Sequence, residues 1–543
     1  MKLKKVTLFA FAAIATSALY GCGNKDVVFW DSFGTKYSGY LKDIIADIST
    51  KEGFEIKHES KGSYPGILKA VTSSVPNRKY PTIAVGYPDH FANYHGSKIL
   101  VKLDDMAKDI LDDYDQDYMP EQYLYDQDGK QHLYSLPFNK STEVLGYNGV
   151  FVDYCVEKYA DESLRQLPET WDEWAAASTA VLDVDAMAGD DAAERDAEFA
   201  KIDLTTKAGK YLNAFYELVA GKKKIYANQA KNGTATNFSE VAAEGKVLVF
   251  DYENVDINFT RLMSWDATDN AFITLVRQWG SEYTTLPEDQ FKVHPKQRQG
   301  QILFASEKNL PKTVDMLQFF NTMHKKRIFG TPEDLSGSFS SDAFADGLVM
   351  FMVCSSGGLS YNTKKRETFF RLAPIPYKDA DHKFVISQGA NLCLTKNGDA
   401  TKAFAVMKAL TQGEFQATWT MLTGYFPASD SAMNSDEYKA FINGTGTDAD
   451  YDDLLTASIR EGAKVNRDEY KDPAKKWTKF VDDAFIGSAT VRTKVDDIIP
   501  RIFNKVGDPS NTKGIKDVIK AILADSDISM NLNLSVDLDP SLQ

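Results

Sequence analysis

The strongest constraint on the fold is a change of period that repeats along the first hundred residues. Val27 to Trp30 is a compact apolar run of strand length. Tyr40, Leu41, Ile44, Ile45 and Ile48 then recur at helical spacing and give one apolar face. Thr82 to Val85 is strand-like again and ends at Gly86-Tyr87-Pro88. Strand, helix and strand in this order predict an α/β fold of right-handed βαβ units with a mainly parallel sheet, whose ligands bind beyond the carboxyl ends of the strands. At 543 residues, 43% of them hydrophobic, the chain exceeds what one core supports, roughly 250 to 300 residues, so two lobes are expected.

Further along, Asp126-Gln127-Asp128-Gly129 has the composition of a tight hairpin turn, and a calcium-loop reading fails because Leu124 stands where an oxygen ligand is needed. From Trp171 to about Lys325 the pattern reads as helical, with an acidic, alanine-rich insertion at Asp183 to Asp203 that suits a solvated helix and loop. Strand character returns at Leu348 to Cys354 and at Phe384 to Leu394. Near the end, Ile515, Val518, Ile519, Ile522 and Leu523 share a helical face, and the closing polar segment, 527 to 543, reads as a loose tail or an added edge strand.

The N-terminus sets the compartment. Lys2, Lys4 and Lys5, the apolar run Val6 to Ala18 and then Leu19-Tyr20-Gly21-Cys22 have the layout of a lipoprotein signal peptide spanning 1 to 21, with lipid expected on Cys22. No later segment approaches the roughly 20 apolar residues of a membrane span, so export and lipid anchoring to the outer face of the cytoplasmic membrane are expected. A net charge of −15 argues against nucleic-acid binding, which needs a basic face to neutralise phosphates. Cys354 and Cys393 sit in apolar runs as small buried hydrophobes, and no disulfide framework is expected.

Catalytic motifs are missing. The sequence has no HExxH, no metal-spaced Cys/His cluster, no GxSxG and no GxxxxGK[ST], so no metal and no cofactor is expected. A pair of carboxylates could still serve a glycosidase, since spacing along the chain does not reveal one. What the chain does carry is polar and aromatic residues at element ends. Gly62-Ser63-Tyr64-Pro65-Gly66 holds a ring between turn formers, and Tyr87-Pro88-Asp89 follows a strand. Leu136 to Asn148, LPFNKSTEVLGYN, groups donors and acceptors in one stretch, including Ser141 and Thr142: an ordinary polar loop or the lining of a cleft. Cys354-Ser355-Ser356-Gly357-Gly358 runs from an apolar strand into small residues that suit an anion or hydroxyls, with a following helix adding its dipole, or else makes a simple turn. Tyr425, in Thr423-Gly424-Tyr425-Phe426-Pro427, offers a face for stacking, and Arg492 a fork that matches phosphate or a surface carboxylate.

Taken in order, FWDSF, GSYPGILKAV, PTIAVGYPD, LPFNKSTEVLGYN, LPETWDEW, VCSSGGL, ISQGANL, TGYFPAS and GSATVR resemble the family 1 extracellular solute-binding proteins of ABC importers, and within them the glycerol-3-phosphate and glycerophosphodiester binders. That resemblance implies a type II periplasmic-binding-protein fold with helical insertions, closing by a hinge. One lobe would comprise 24 to 141 with about 386 to 424, and the other about 145 to 382 with 428 to 526. It implies ligand contacts from Tyr64, from Ser141 or Thr142, from Ser355 or Ser356, and from Gly389, Tyr425 and Arg492. Those binders carry a glutamate where this chain has Pro88, which turns attention to Asp89. The implied partners are a phosphorylated polyol or sugar and a membrane permease. A neutral oligosaccharide is the alternative on the same fold, with Trp265 and Trp279 as a stacking platform unless they belong to the second lobe's core, and a surface glycosidase or adhesin is the third reading.

Overall fold

A computed structural model describes residues 26–230, 233–335, 339–363, 369–444 and 454–542; Cys22 and the export signal lie outside the described residues. The first lobe opens as the sequence predicts: β1 (Val27–Asp31), α1 (Thr35–Glu52), β2 (Ile56–Ser60), α2 (Tyr64–Ser74), β3 (Ile83–Gly86) and α3 (Pro88–Gly96). α1 buries Leu41, Ile44, Ile45 and Ile48 on one face and stops at Gly53, which takes the left-handed conformation that ends a helix cheaply. β1 pairs in parallel with both β2 and β3.

The sheet is then completed by Asn391–Leu394, antiparallel to β3, and by Ser135–Pro137, antiparallel to Asn391–Leu394 and so running in the direction of β1 to β3. The sheet is thus mainly parallel, as expected, with Asn391–Leu394 alone reversed. The reversal follows from connectivity, because this strand comes directly from a crossing between lobes and not through a covering helix.

The second sheet runs in the order Phe329–Gly330, Met263–Trp265, Phe351–Ser355, Ser141–Asn148, Phe384–Gln388 and Thr478–Phe480, with Phe370–Ala373 also on Ser141–Asn148. Two apolar cores follow from these sheets. One gathers side chains from Val27 to Phe138 and Ala390 to Trp419. The other gathers Val144 to Ile386 and, Ala417 aside, Ala432 to Leu542. Trp171, Trp174 and Trp265 are fully buried in the second, each such side chain contributing about 1.5–3 kcal/mol by leaving water.

Between the cores, the strands on either side of 137–141 and 388–391 run side by side. Gly389 is needed there: its φ is +107°, and a Cβ would land on the Asn139 carbonyl oxygen. A third crossing runs past Phe426, which bridges to Lys140.

One expectation needs correction. The stretch from 171 to 325 is not purely helical, for Lys224–Gln229 is the centre of an antiparallel sheet with Ala235–Ser239 and Val247–Asp251. Its inward residues, Ile225 and Ala227, alternate with half-buried or exposed ones, a two-residue period too short to stand out between helices. The acidic insertion forms the expected solvated helix, Ala192–Phe199 capped by Asp191, beside a shorter one, Val184–Ala188 capped by Asp183, that buries Val184 and Met187. Of the two readings of the closing segment the fold takes the added edge strand: Leu534–Val536 pairs in parallel with Gly300–Ile302, and Leu542 is buried. Among the described residues no helix is long and apolar enough to cross a membrane.

Candidate ligand-binding site

The cleft between the lobes is built from strand ends, where side chains are free to face a partner. β3 ends at Gly86, so Tyr87 leaves the sheet and α3 begins at once with Pro88 and Asp89. Ser63 caps α2 by accepting from the Gly66 amide, which fixes Tyr64 at the first helical position. The two tyrosines consequently meet, with ring centroids 4.2 Å apart, and His90 lies edge-on to both. Tyr425 enters from the third crossing, stacked on Trp419 at 6.4 Å, and its ring fills the space that a Cβ on Gly357 would need. Its hydroxyl aligns with that of Tyr64 and with the Asn139 amide, while Tyr64 Oη and Asn139 Nδ2, both buried, complete no hydrogen bond of good geometry. Burial pushes the Tyr87 hydroxyl up to about 12 against the opposing pull of Arg492, so the phenol stays neutral and can donate or accept.

The opposite wall is charged. Arg492, on helix Ser488–Val495, donates from Nε to Asp269 Oδ2 at 2.7 Å and from Nη2 to Asn270 Oδ1, and its guanidinium lies 5.7 Å from the centre of the Tyr87 ring. Burial disfavours the cation, but Asp269, Asp89 and Tyr87 outweigh it and hold the guanidinium pKa above its usual value. Asn270 passes the contact on, donating to Gln388 Oε1 at 2.7 Å. Asp89, Gln388, Gly389 and Arg492 line one narrow niche of about 50 Å³. It shares Pro88, Glu121 and Val481 to Ala484 with an outer cavity of about 260 Å³.

Thus Tyr64 and Asp89, near the start of the chain, come together with Tyr425 and Arg492, more than 300 positions later; other expected residues do different work. Thr142 donates its hydroxyl to the Ile386 carbonyl at 2.8 Å and its amide to Ser356 Oγ at 3.3 Å, so both side chains tie strands together. Ser141 is buried and pairs with Gln388 in the crossing ladder. Ser355 accepts from the Gly357 amide at 3.2 Å and caps one 3-10 turn followed by the four-residue helix Leu359–Asn362, so the expected long dipole is absent. Lys140, from the same polar stretch, is buried against Glu121. The stretch Leu136 to Asn148 is thus a buried lobe crossing whose polar groups are largely spent on the protein itself.

The tryptophan platform is also absent. Trp265 stacks on Trp171 and donates to Glu143 Oε1 at 2.7 Å, and Trp279 donates to Asp315 at 3.0 Å, both within the second core.

Sequence reading missed Asp269, Asn270, Gln388 and Glu143. Glu143 sits beneath the charged wall, receiving Trp265 and the Thr274 hydroxyl at 3.1 Å, and burial pushes its carboxyl up to about 8. The only available signal was a glutamate inside a run of buried residues, Thr142 to Leu145.

Proteins of known ligand resemble this chain in sequence and fold. The chain is 24% identical over 453 residues to the sn-glycerol-3-phosphate-binding periplasmic protein UgpB of Pectobacterium atrosepticum, covering 79% of this chain and 80% of that one. Its fold matches UgpB of Mycobacterium tuberculosis, solved with glycerophosphocholine, at a TM-score of 0.60 and 14% identity over 94% of this chain and all of the other. It also matches the Listeria monocytogenes substrate-binding protein solved with cycloalternan, at 0.57 and 12% identity over 92% and 98%. These likenesses establish a two-lobed binding-protein fold. A family description, bacterial extracellular solute-binding protein, matches residues 43–443, a span that ends before Arg492. With well over half of its length matched, the chain belongs to the bacterial extracellular solute-binding proteins.

Proposed function

We propose that this chain is the solute-capturing component of an ABC importer, held at the membrane by lipid on Cys22, and that it takes a polyol phosphate ester or a carbohydrate between its lobes. The observation that carries the reading is the opposition of the two walls: the Arg492 guanidinium of one lobe stands 5.7 Å over the Tyr87 ring of the other, in a niche with Asp89 and Gln388. Tyrosine faces would cover the apolar edges of a ligand, and the hydroxyls of Tyr64 and Tyr425, Asp89 and the amides of Gln388 and Asn139 would satisfy its oxygens. Ligand that touches both walls binds the closed state better than the open one, and that difference drives closure and delivery to a permease. The relatives solved or named with glycerol phosphate esters and with an oligosaccharide support this range of ligands.

Thermal melting against sn-glycerol-3-phosphate, glycerophosphocholine and maltodextrins tests it. Ligand at ~100 times its Kd adds about 2.7 kcal/mol of stability. A shift that Arg492→Ala abolishes supports the phosphate ester; no shift with any of them overturns the ligand class. A neutral oligosaccharide is the second reading, favoured by the existing pair between Arg492 and Asp269. No turnover of chromogenic glycosides is expected on either reading.

A further inference from the structure

We propose that Asp269 is a specificity determinant of the cleft, occupying the fork of Arg492 so that the site turns away phosphomonoester dianions and admits neutral polyols and singly charged phosphodiesters. The inference rests on the reading of the cleft given above and narrows its ligand class.

Asp269 and Arg492 belong to one lobe, on helices Thr268–Gln278 and Ser488–Val495 that pack against each other, so their pairing does not depend on closure. The first helix has no side-chain cap from its own Ala267; instead Asp496, one turn beyond Arg492, accepts from the Asp269 amide at 3.0 Å and from the Thr268 hydroxyl. The same two helices therefore fix both ends of the Asp269–Arg492 pair, and Asn270 holds a second guanidinium nitrogen. Two of the three nitrogens that a phosphate would use as a fork are engaged within the protein.

The rest of the cleft sharpens the charge balance. Glu121 pairs with Lys140, and Asp482 with Arg277 at 2.9 Å. Asp483 accepts from the Thr285 hydroxyl at 3.0 Å and the Leu286 amide at 3.1 Å, with no cation paired to it among the described residues. Asp89 accepts from the His90 amide at 2.8 Å, the His90 ring, 3.9 Å away, is kept neutral by burial, and the cation that Asp89 acts on is the same Arg492 that Asp269 already holds. Carboxylates thus outweigh the cation in the niche, which repels a dianion. In contrast, Ser387 Oγ and Gln388 Nε2, buried in the niche wall, have no hydrogen-bond partner among the described residues and suit hydroxyl or ester oxygens.

The test is calorimetric titration, backed by melting, of the wild-type chain, Asp269→Asn and Asp269→Ser with sn-glycerol-3-phosphate, glycerophosphocholine, maltotriose and inorganic phosphate. Wild type is expected to bind sn-glycerol-3-phosphate at least about tenfold more weakly than the better of glycerophosphocholine and maltotriose. Removing one charge a few ångströms from an anion in a partly wet cleft is worth about tenfold or more. Either variant should therefore gain that factor for sn-glycerol-3-phosphate and inorganic phosphate, with maltotriose changed by less than about threefold. Wild type that takes sn-glycerol-3-phosphate as tightly as the other probes, or folded variants that gain nothing for either phosphate, would overturn the assignment. If no organic probe binds wild type, the ligand class proposed above falls, and the gain or absence of inorganic phosphate binding in the variants still decides the role of Asp269.

Discussion

The two walls of the cleft solve the same problem with opposite chemistry. The first-lobe wall is aromatic and, apart from Asp89 and the paired Glu121, uncharged: Tyr64, Tyr87 and His90 pack on one another, and among the described residues the Tyr64 hydroxyl and the His90 Nδ1 nitrogen complete no hydrogen bond of good geometry. The second-lobe wall is ionic and internally paired, with Arg492, Asp269, Asn270 and Gln388 in one chain of contacts. An aromatic wall with spare hydroxyls is ready for a ligand, whereas a paired wall charges an entry cost to any ligand that must break the pairing. The contrast teaches that affinity in this cleft should come mostly from the first wall and selectivity mostly from the second.

The largest expected effect removes the contrast altogether. Gly389→Ala forces a side chain onto the Asn139 carbonyl at a left-handed position, so the crossing that sets the walls face to face must shift. A loss of roughly 3 kcal/mol or more in urea unfolding is expected, with ligand response lost as well.

Next is Glu143, the floor of the ionic wall. Its folded-state pKa of about 8 stands above the ordinary value of 4.5. The neutral acid is the form the fold prefers, so this contribution is complete below pH 4.5 and is lost as pH rises through about 8. Each unit is worth about 1.4 kcal/mol. Glu143→Gln should therefore melt like wild type near pH 4 and exceed it by roughly 5 kcal/mol at pH 9; a constant offset across pH would show that burial does not govern this carboxyl.

Smaller effects separate the walls. Tyr425→Ala should weaken binding of any ligand by about 1–3 kcal/mol in titration, whichever phosphate form is used, since a stacked ring is indifferent to charge. The smallest concerns closure. Tyr37 Oη of the first lobe lies 3.2 Å from the Gly357 carbonyl and 2.9 Å from Ser360 Oγ of the second. Tyr37→Phe should cost about 1 kcal/mol of apparent affinity by weakening the closed state, with the unfolding midpoint nearly unchanged.

Much of the first wall was legible because it rests on local patterns. The β1–α1 alternation, the Ser63 cap before Tyr64 and the strand end at Gly86 each follow from residues within a few positions of one another. The second wall was not. Arg492 stood out as a fork of donors, but its partner Asp269 lies 223 residues away and nothing in ATDN marks it. Ser141 and Thr142 misled for the opposite reason: a cluster of polar residues in sequence looks like a lining, yet a strand crossing between lobes consumes the same groups. Trp265 and Trp279 were open between a stacking platform and the second core, since tryptophan serves either, and the structure puts them in the core.

The most direct test of capture between the walls is a double-mutant cycle read by calorimetry, with Tyr87→Ala from one lobe, Arg492→Gln from the other and both together, each titrated with glycerophosphocholine and maltotriose. If ligand bridges the walls, each single change weakens binding and the double change costs clearly less than their sum, because losing either wall already forfeits closure. Binding that survives the double substitution at wild-type strength would place the ligand elsewhere and contradict the account.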